Sequence, residues 1–178
     1  MSNSSYFDIA QICLNGHIIN GEYRKHPENN QVHCSRCGEK TITSCPSCGN
    51  EIKGDETLYT PGHSKGVYGT VKPVTVNEHL FPMGDIPRFC INCGKPFPWT
   101  VRDSEQLYAI VDEVKALDPL EKANMKRSID DLMRDTGIEL GKTHLKLFLQ
   151  KAGKQVFESF KSVLISIISA SVRKQIGI

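Results

Sequence analysis

Four pairs of side chains with metal-ligand chemistry lie in the first hundred residues: Cys13/His17, Cys34/Cys37, Cys45/Cys48 and Cys90/Cys93. They use all seven cysteines of the chain and one histidine. A closed structural zinc site takes four N or S donors in a tetrahedron, so eight donors divide into two sites with none left over. In C-x2-C a tight turn aims two sulfurs at one point, and a glycine after the second cysteine lets the backbone take positive φ. Cys34-Ser-Arg-Cys37-Gly38, Cys45-Pro-Ser-Cys48-Gly49 and Cys90-Ile-Asn-Cys93-Gly94 all have that form. Cys13-Leu-Asn-Gly16-His17 is the same knuckle with an imidazole as its second donor. One C-x2-C alone is shared with thioredoxin-like redox motifs. A disulfide framework would leave one of seven cysteines odd. The expectation is two structural Zn²⁺ ions.

Spacing leaves the partition between ions open. Sequential pairing puts Cys13, His17, Cys34 and Cys37 on one ion and Cys45, Cys48, Cys90 and Cys93 on the other, each unit reading as a zinc ribbon. Nested pairing, first with last, is the alternative. Interleaved pairing would give a RING-type cross-brace, but a RING sets its second and third pairs much closer than the seven residues found here. Its first pair should also be two cysteines.

The donors need elements to hold them, and the composition says how few there are. Aromatics make up 7% of the 178 residues and hydrophobic residues 39%. A cysteine-bearing region of this size buries little apolar surface, so bound metal would supply the missing folding free energy. Residues 6–13 and 17–20 read as short strands of a hairpin around the first knuckle. Residues 21–33 form a polar loop, and 39–44 is β-prone and connects the two ribbons. The stretch 54–88 is rich in glycine and proline and reads as a long insertion, with a strand pair within Tyr68–Val76. Its Tyr59, His63, Tyr68, His79 and Phe81 are the candidate recognition surface of this half. Phe97 and Trp99 are expected to pin the first helix onto the second ribbon.

From Asp103 the period becomes helical. One helix runs to about Leu117, with Leu107, Ile110, Val111 and Val114 on one face. Asp118-Pro119-Leu120-Glu121 starts a second, with Leu120, Met125, Ile129, Leu132 and Met133 apolar and Gly137 at its end. The last spans about 139–176, its stripe running Leu145, Leu149, Ala152, Val156, Phe160, Val163, Ile167 and Ala170; Gly153 either divides or softens it. The fold class expected is α+β: a double zinc ribbon of short β-hairpins over residues 1–100, then about three helices over 101–178.

Charge narrows the functions. The formal net charge is +2, and seven thiolates against two dications take the metallated chain to about −1. Residues 1–100 carry nine basic and nine acidic side chains, so the metallated ribbons are acidic and ill suited to a phosphate backbone. Residues 101–139 hold six basic and ten acidic side chains, whereas 140–178 hold seven basic ones and only Glu158. Either the helices neutralise one another or the terminal basic face meets an acidic surface. The wide apolar stripe, flanked by Lys151, Lys154, Lys161, Arg173 and Lys174, can pack on the other helices, self-associate or dock on a protein. It can also lie on an anionic membrane.

Three runs carry a family resemblance: Ile12-Cys-Leu-Asn-Gly-His17-Ile-Ile-Asn, Cys34-Ser-Arg-Cys-Gly-Glu-Lys-Thr-Ile-Thr-Ser-Cys-Pro-Ser-Cys-Gly49, and Phe89-Cys-Ile-Asn-Cys-Gly-Lys-Pro-Phe-Pro-Trp-Thr100. They resemble a bacterial domain-of-unknown-function family of double zinc-ribbon proteins. The resemblance covers residues 6–100, extends more loosely to the amphipathic carboxyl end, and departs within 54–88. It implies a bacterial cytoplasmic protein with a double zinc ribbon, and neither a substrate nor a catalytic residue.

No P-loop, dinucleotide fingerprint or nucleophile elbow occurs. His26, His33, His63, His79 and His144 are scattered, and His33 is a second, weaker candidate for the place of His17. No basic, apolar leader opens the chain and no stretch reaches the ~18 apolar residues of a membrane span, so a cytoplasmic protein is expected. The reading is a non-enzymatic binding or adaptor module that engages a protein partner or forms a homo-oligomer through its terminal helix. Nucleic-acid binding and membrane-surface association are the alternatives, and no small-molecule substrate is evident.

Overall fold

The computed structural model describes residues 4–60, 74–78 and 86–177. The chain divides into two units, Met1–Trp99 and Thr100–Ile178.

Among the described residues the first unit holds two three-stranded antiparallel sheets. Strands β1 (Ser4–Ile9), β5 (Lys53–Thr60) and β6 (Val74–Glu78) form one, in the order β1-β5-β6. Strands β2 (Gln11–Cys13), β3 (Ile18–Asn20) and β4 (Thr41–Ile42) form the other, in the order β3-β2-β4. The run 6–13, expected as one strand, is therefore shared between sheets. It breaks at Ala10, which is fully buried and donates its N–H to the Ile52 carbonyl. The backbones cross there at a distance only glycine allows. A Cβ on Gly54 would sit 2.3 Å from the Gly21 carbonyl oxygen and 2.6 Å from the Ile9 carbonyl carbon.

The start of the expected insertion is not loop. Lys53–Thr60 is a strand whose end pairs with β6, Thr60 opposite Val74. The alternation through Thr57-Leu58-Tyr59-Thr60 was masked by the glycines and prolines around it. Residues 68–73 of the expected strand pair lie outside the described residues, as do His63, His79 and Phe81.

The core here is small: Ala10, Ile12, Cys45, Ile52, Cys90, Phe97 and Trp99. Phe97 and Trp99 stack with ring centroids 4.7 Å apart, and the indole N–H donates to the Pro87 carbonyl at 2.9 Å. Polar side chains organise the loop 21–33. Buried Asp8 accepts from the backbone N–H groups of Arg24 and Lys25, and Gln11 exchanges hydrogen bonds with the Gln31 backbone.

The second unit is helical: α1 (Pro98–Glu113, whose first two residues belong to the β unit), α2 (Pro119–Met133), α3 (Ile138–Ala152), α4 (Lys154–Ile167) and α5 (Ala170–Ile176). Helix α1 starts five residues before Asp103, because Pro98 presets a helical φ in its first turn, where no intrahelical N–H bond is lost. Helix α2 has the expected capping box: Asp118 accepts from the Glu121 N–H and Glu121 reaches back to the Asp118 N–H. Leu120, placed on its apolar face by periodicity, is 69% exposed. Helix α2 closes at Met133, and Gly137 (φ 61°) is the N-cap of α3, so it ends the link and not the helix.

The expected long last helix is three. Gly153 (φ 80°) separates α3 from α4, and Ser169 starts α5 by accepting the Val172 N–H. Each break resets the helical phase. Val156, after the first break, is therefore partly exposed; Leu149, near the end of α3, is partly exposed as well, while Leu145, Phe148, Phe157, Phe160, Leu164, Ile167 and Val172 are buried. Folded back on itself, α3 packs against α4 and α5 with Phe148 and Phe160 rings 4.6 Å apart. Most of the terminal apolar surface is thus covered within the unit.

Candidate metal centres

Each knuckle is built by local backbone bonds. The N–H of Gly38, Gly49 and Gly94 donates to the carbonyl of the first cysteine of its own knuckle at 2.8–2.9 Å. Those glycines have φ of 73°, 73° and 67°, with open space where a Cβ would be, so the requirement is conformational and not steric. The first knuckle differs. Gly16 (φ 83°) precedes its ligand, and a Cβ there would meet Ile86 at 2.9 Å and Trp99 at 3.0 Å. The Trp99 side chain therefore packs over the first knuckle as well as filling the core.

The structure brings the eight candidate ligands together in two sets, Cys13/His17/Cys34/Cys37 and Cys45/Cys48/Cys90/Cys93. This is the sequential partition; the nested and interleaved ones are not formed. Within each set the donor atoms all lie within 4.8 Å of one another. These are the two groups of this kind among the described residues. The sulfurs of Cys13 and Cys37 are 3.8 Å apart, those of Cys45 and Cys93 3.8 Å, and those of Cys48 and Cys90 3.6 Å. A disulfide needs about 2.05 Å, and all seven cysteines are free thiols. A tetrahedron with Zn–S lengths of about 2.3 Å has edges of about 3.8 Å, and its mixed S–N edges are about 3.5–3.6 Å. His17 Nδ1 lies 3.5 Å from Cys13 Sγ and 3.6 Å from Cys34 Sγ. The donor types and the edges both fit a tetrahedral metal ion.

Sequence reasoning missed two further residues. The Asn15 side chain donates to Cys37 Sγ at 3.5 Å, and Asn92 donates to Cys48 Sγ at 3.6 Å. Each asparagine sits two positions after a cysteine, in Cys-Leu-Asn and Cys-Ile-Asn, and reaches across to the exposed thiol of the opposing knuckle. That short repeat was the available signal. The Cys37 thiol is lowered to about 6, first by the Glu39 backbone N–H and further by Asn15. The Cys48 thiol is lowered to about 6 by the Asn50 backbone N–H and by Asn92. Both shifts favour the thiolate, the form a metal takes.

Among the described residues, the remaining histidines stand apart from these sets. His26 lies between Glu22 and Glu28, His33 bridges to Lys40 through its backbone, and His144 Nδ1 is 2.6 Å from the Ser128 hydroxyl. Ser128 is buried in a helix–helix contact, so that pair joins α2 to α3 instead of presenting a nucleophile. Among the described residues no helix is long and apolar enough to cross a membrane.

The chain matches the profile of a bacterial family described as "Uncharacterized protein conserved in bacteria (DUF2321)" over residues 6–176, and it belongs to that family. No curated protein and no solved structure gives a significant match.

Proposed function

We propose that this member of the family is a non-enzymatic binding module in which two structural zinc ions make the β unit a rigid scaffold and the helical unit engages a protein partner or a second copy. The observation that carries it is the closure of both donor sets. Four protein ligands at tetrahedral edge lengths leave no coordination position for a reacting water, and thiolate donors reduce the Lewis acidity a catalytic zinc needs. Exposed Leu120 and Leu140 are apolar side chains of the helical unit left for a partner.

Elemental analysis of purified protein is expected to give two zinc ions per chain, with X-ray absorption showing an S3N and an S4 site. A clear deficit, or an oxygen ligand at either ion, would overturn the scaffold reading. For the interaction, light scattering and co-purification of the full chain are compared with the Leu120→Ser/Leu140→Ser variant. Unchanged association by the variant would place the contact elsewhere.

A further inference from the structure

The helical unit contains a groove of about 430 Å³ between α3, α4 and the end of α5. Its floor is apolar: Leu145, Leu149, Phe157 and Ile176. Its rim carries three ammonium groups, Lys142, Lys146 and Lys161, and no acidic side chain lines it. Lys142 pairs with Glu139 at 2.8 Å, whereas Lys146 and Lys161 have no ion pair among the described residues. Elsewhere in this region a lysine meets an acid where one is at hand, as Lys151 does with Glu121. Leu149 is 39% exposed although Leu145, one turn earlier, is 5% exposed, so the floor is only partly covered by the protein itself.

We propose that this groove binds a medium-chain fatty acid, with the acyl chain on the leucine–phenylalanine floor and the carboxylate at Lys146 and Lys161. The volume lies in the range of small-molecule sites, ~300–1,000 Å³. The chemistry asks for one apolar chain ending in one anion. Free phosphate would leave the floor unused, and it is better held by guanidinium forks or helix N-termini than by separate lysines. A membrane surface meets an exposed apolar helix face, while here Leu145 and Phe157, which line the groove, are buried. Lysine stems also cover apolar surface without any ligand, and that is the alternative the experiment must separate. The inference stands apart from the zinc scaffold and from the protein partner proposed above.

The test is isothermal titration of the full-length, zinc-loaded protein with octanoate, decanoate and dodecanoate. Saturable one-to-one binding is expected, tightening roughly fourfold per methylene buried. Dodecyltrimethylammonium, with the same chain and the opposite charge, is expected to bind at least tenfold more weakly. Lys146→Glu/Lys161→Glu should lose about tenfold for dodecanoate, and Leu149→Ser should flatten the chain-length dependence, both variants keeping the wild-type circular dichroism. Equal affinity for the cationic amphiphile, non-saturating uptake, or indifference to both variants would overturn the proposal. So would binding of an acidic leucine-rich peptide with none of dodecanoate, or a dimer in light scattering that Leu149→Ser dissolves. Zinc content stays at two per chain in every arm, so failure here leaves the scaffold reading standing.

Discussion

The two units solve the same problem, holding a chain in one conformation, with different resources. Among the described residues the β unit's core cluster is seven buried side chains, and two of these, Cys45 and Cys90, are themselves candidate metal ligands. The helical unit buries Phe148, Phe160, Leu107, Met125, Ile129, Leu132, Leu164 and Ile167 almost completely, with no ligand among them. Apolar burial therefore stabilises the second unit by itself, whereas the first depends on whatever joins its four knuckles. The difference teaches that a short, turn-rich segment becomes a fixed scaffold when its few strong contacts are coordinate bonds.

Metal removal breaks the comparison most sharply. Apparent binding free energies of structural zinc are ~10–16 kcal/mol, so stripping both ions should unfold the β unit. Trp99, the sole tryptophan and 2% exposed, lies in that core and reports it. A strong chelator is expected to red-shift tryptophan emission while the helical signal at 222 nm largely survives; simultaneous loss of both would show that the units are not independent. The opposite perturbation is Phe160→Ala. Truncating this fully buried ring should destabilise the helical unit by ~3–5 kcal/mol with zinc content and tryptophan emission unchanged, read by thermal melts followed with both probes.

Smaller changes sharpen the picture within each unit. Asn15→Ala and Asn92→Ala remove the donor to an exposed thiolate and should weaken zinc retention by ~10-fold each, measured by chelator competition, with faster alkylation of Cys37 or Cys48. Acid acts on the same thiolates. Their folded values of about 6 lie below the ordinary 9.0. The stability this gives is present above the unfolded value and is lost as pH falls through the folded one. Without metal these thiolates take up protons as pH falls through about 6, and bound zinc competes with those protons, so release is expected only well below that value; colorimetric zinc release on acidification checks it. Gly153→Ala acts in the helical unit. No atom obstructs a Cβ there, yet φ is 80° and ψ 163°, a conformation essentially reserved to glycine, so a loss of ~1–3 kcal/mol is expected in helical melts. A gain would mean that α3 and α4 can merge into one helix.

How much of this was legible follows from the range over which each signal acts. A knuckle spans five or six residues, and ligand, turn and positive-φ glycine are all written locally, so the four ligand pairs stood out by spacing alone. The capping box at Asp118 and Glu121 was legible for the same reason. Strand β5 was not, because glycines and prolines dominate its surroundings and its partners Phe7 and Val76 are distant in sequence. The exposure of Val156 was hidden too. The periodic stripe through Gly153 reads as continuous until the backbone turns there and the phase is lost.

Composition and spacing by themselves determined which side chains can hold metal, that the first half lacks an ordinary core, and that helices follow. Only the tertiary structure decided which knuckles face each other, that His17 offers Nδ1, that Asn15 and Asn92 reach the opposing thiols, and that the terminal segment folds over its own apolar face. The physical reason is that turns and caps are fixed by neighbours along the chain. Partnership between knuckles, and between faces of successive helices, is settled by contacts among residues tens of positions apart.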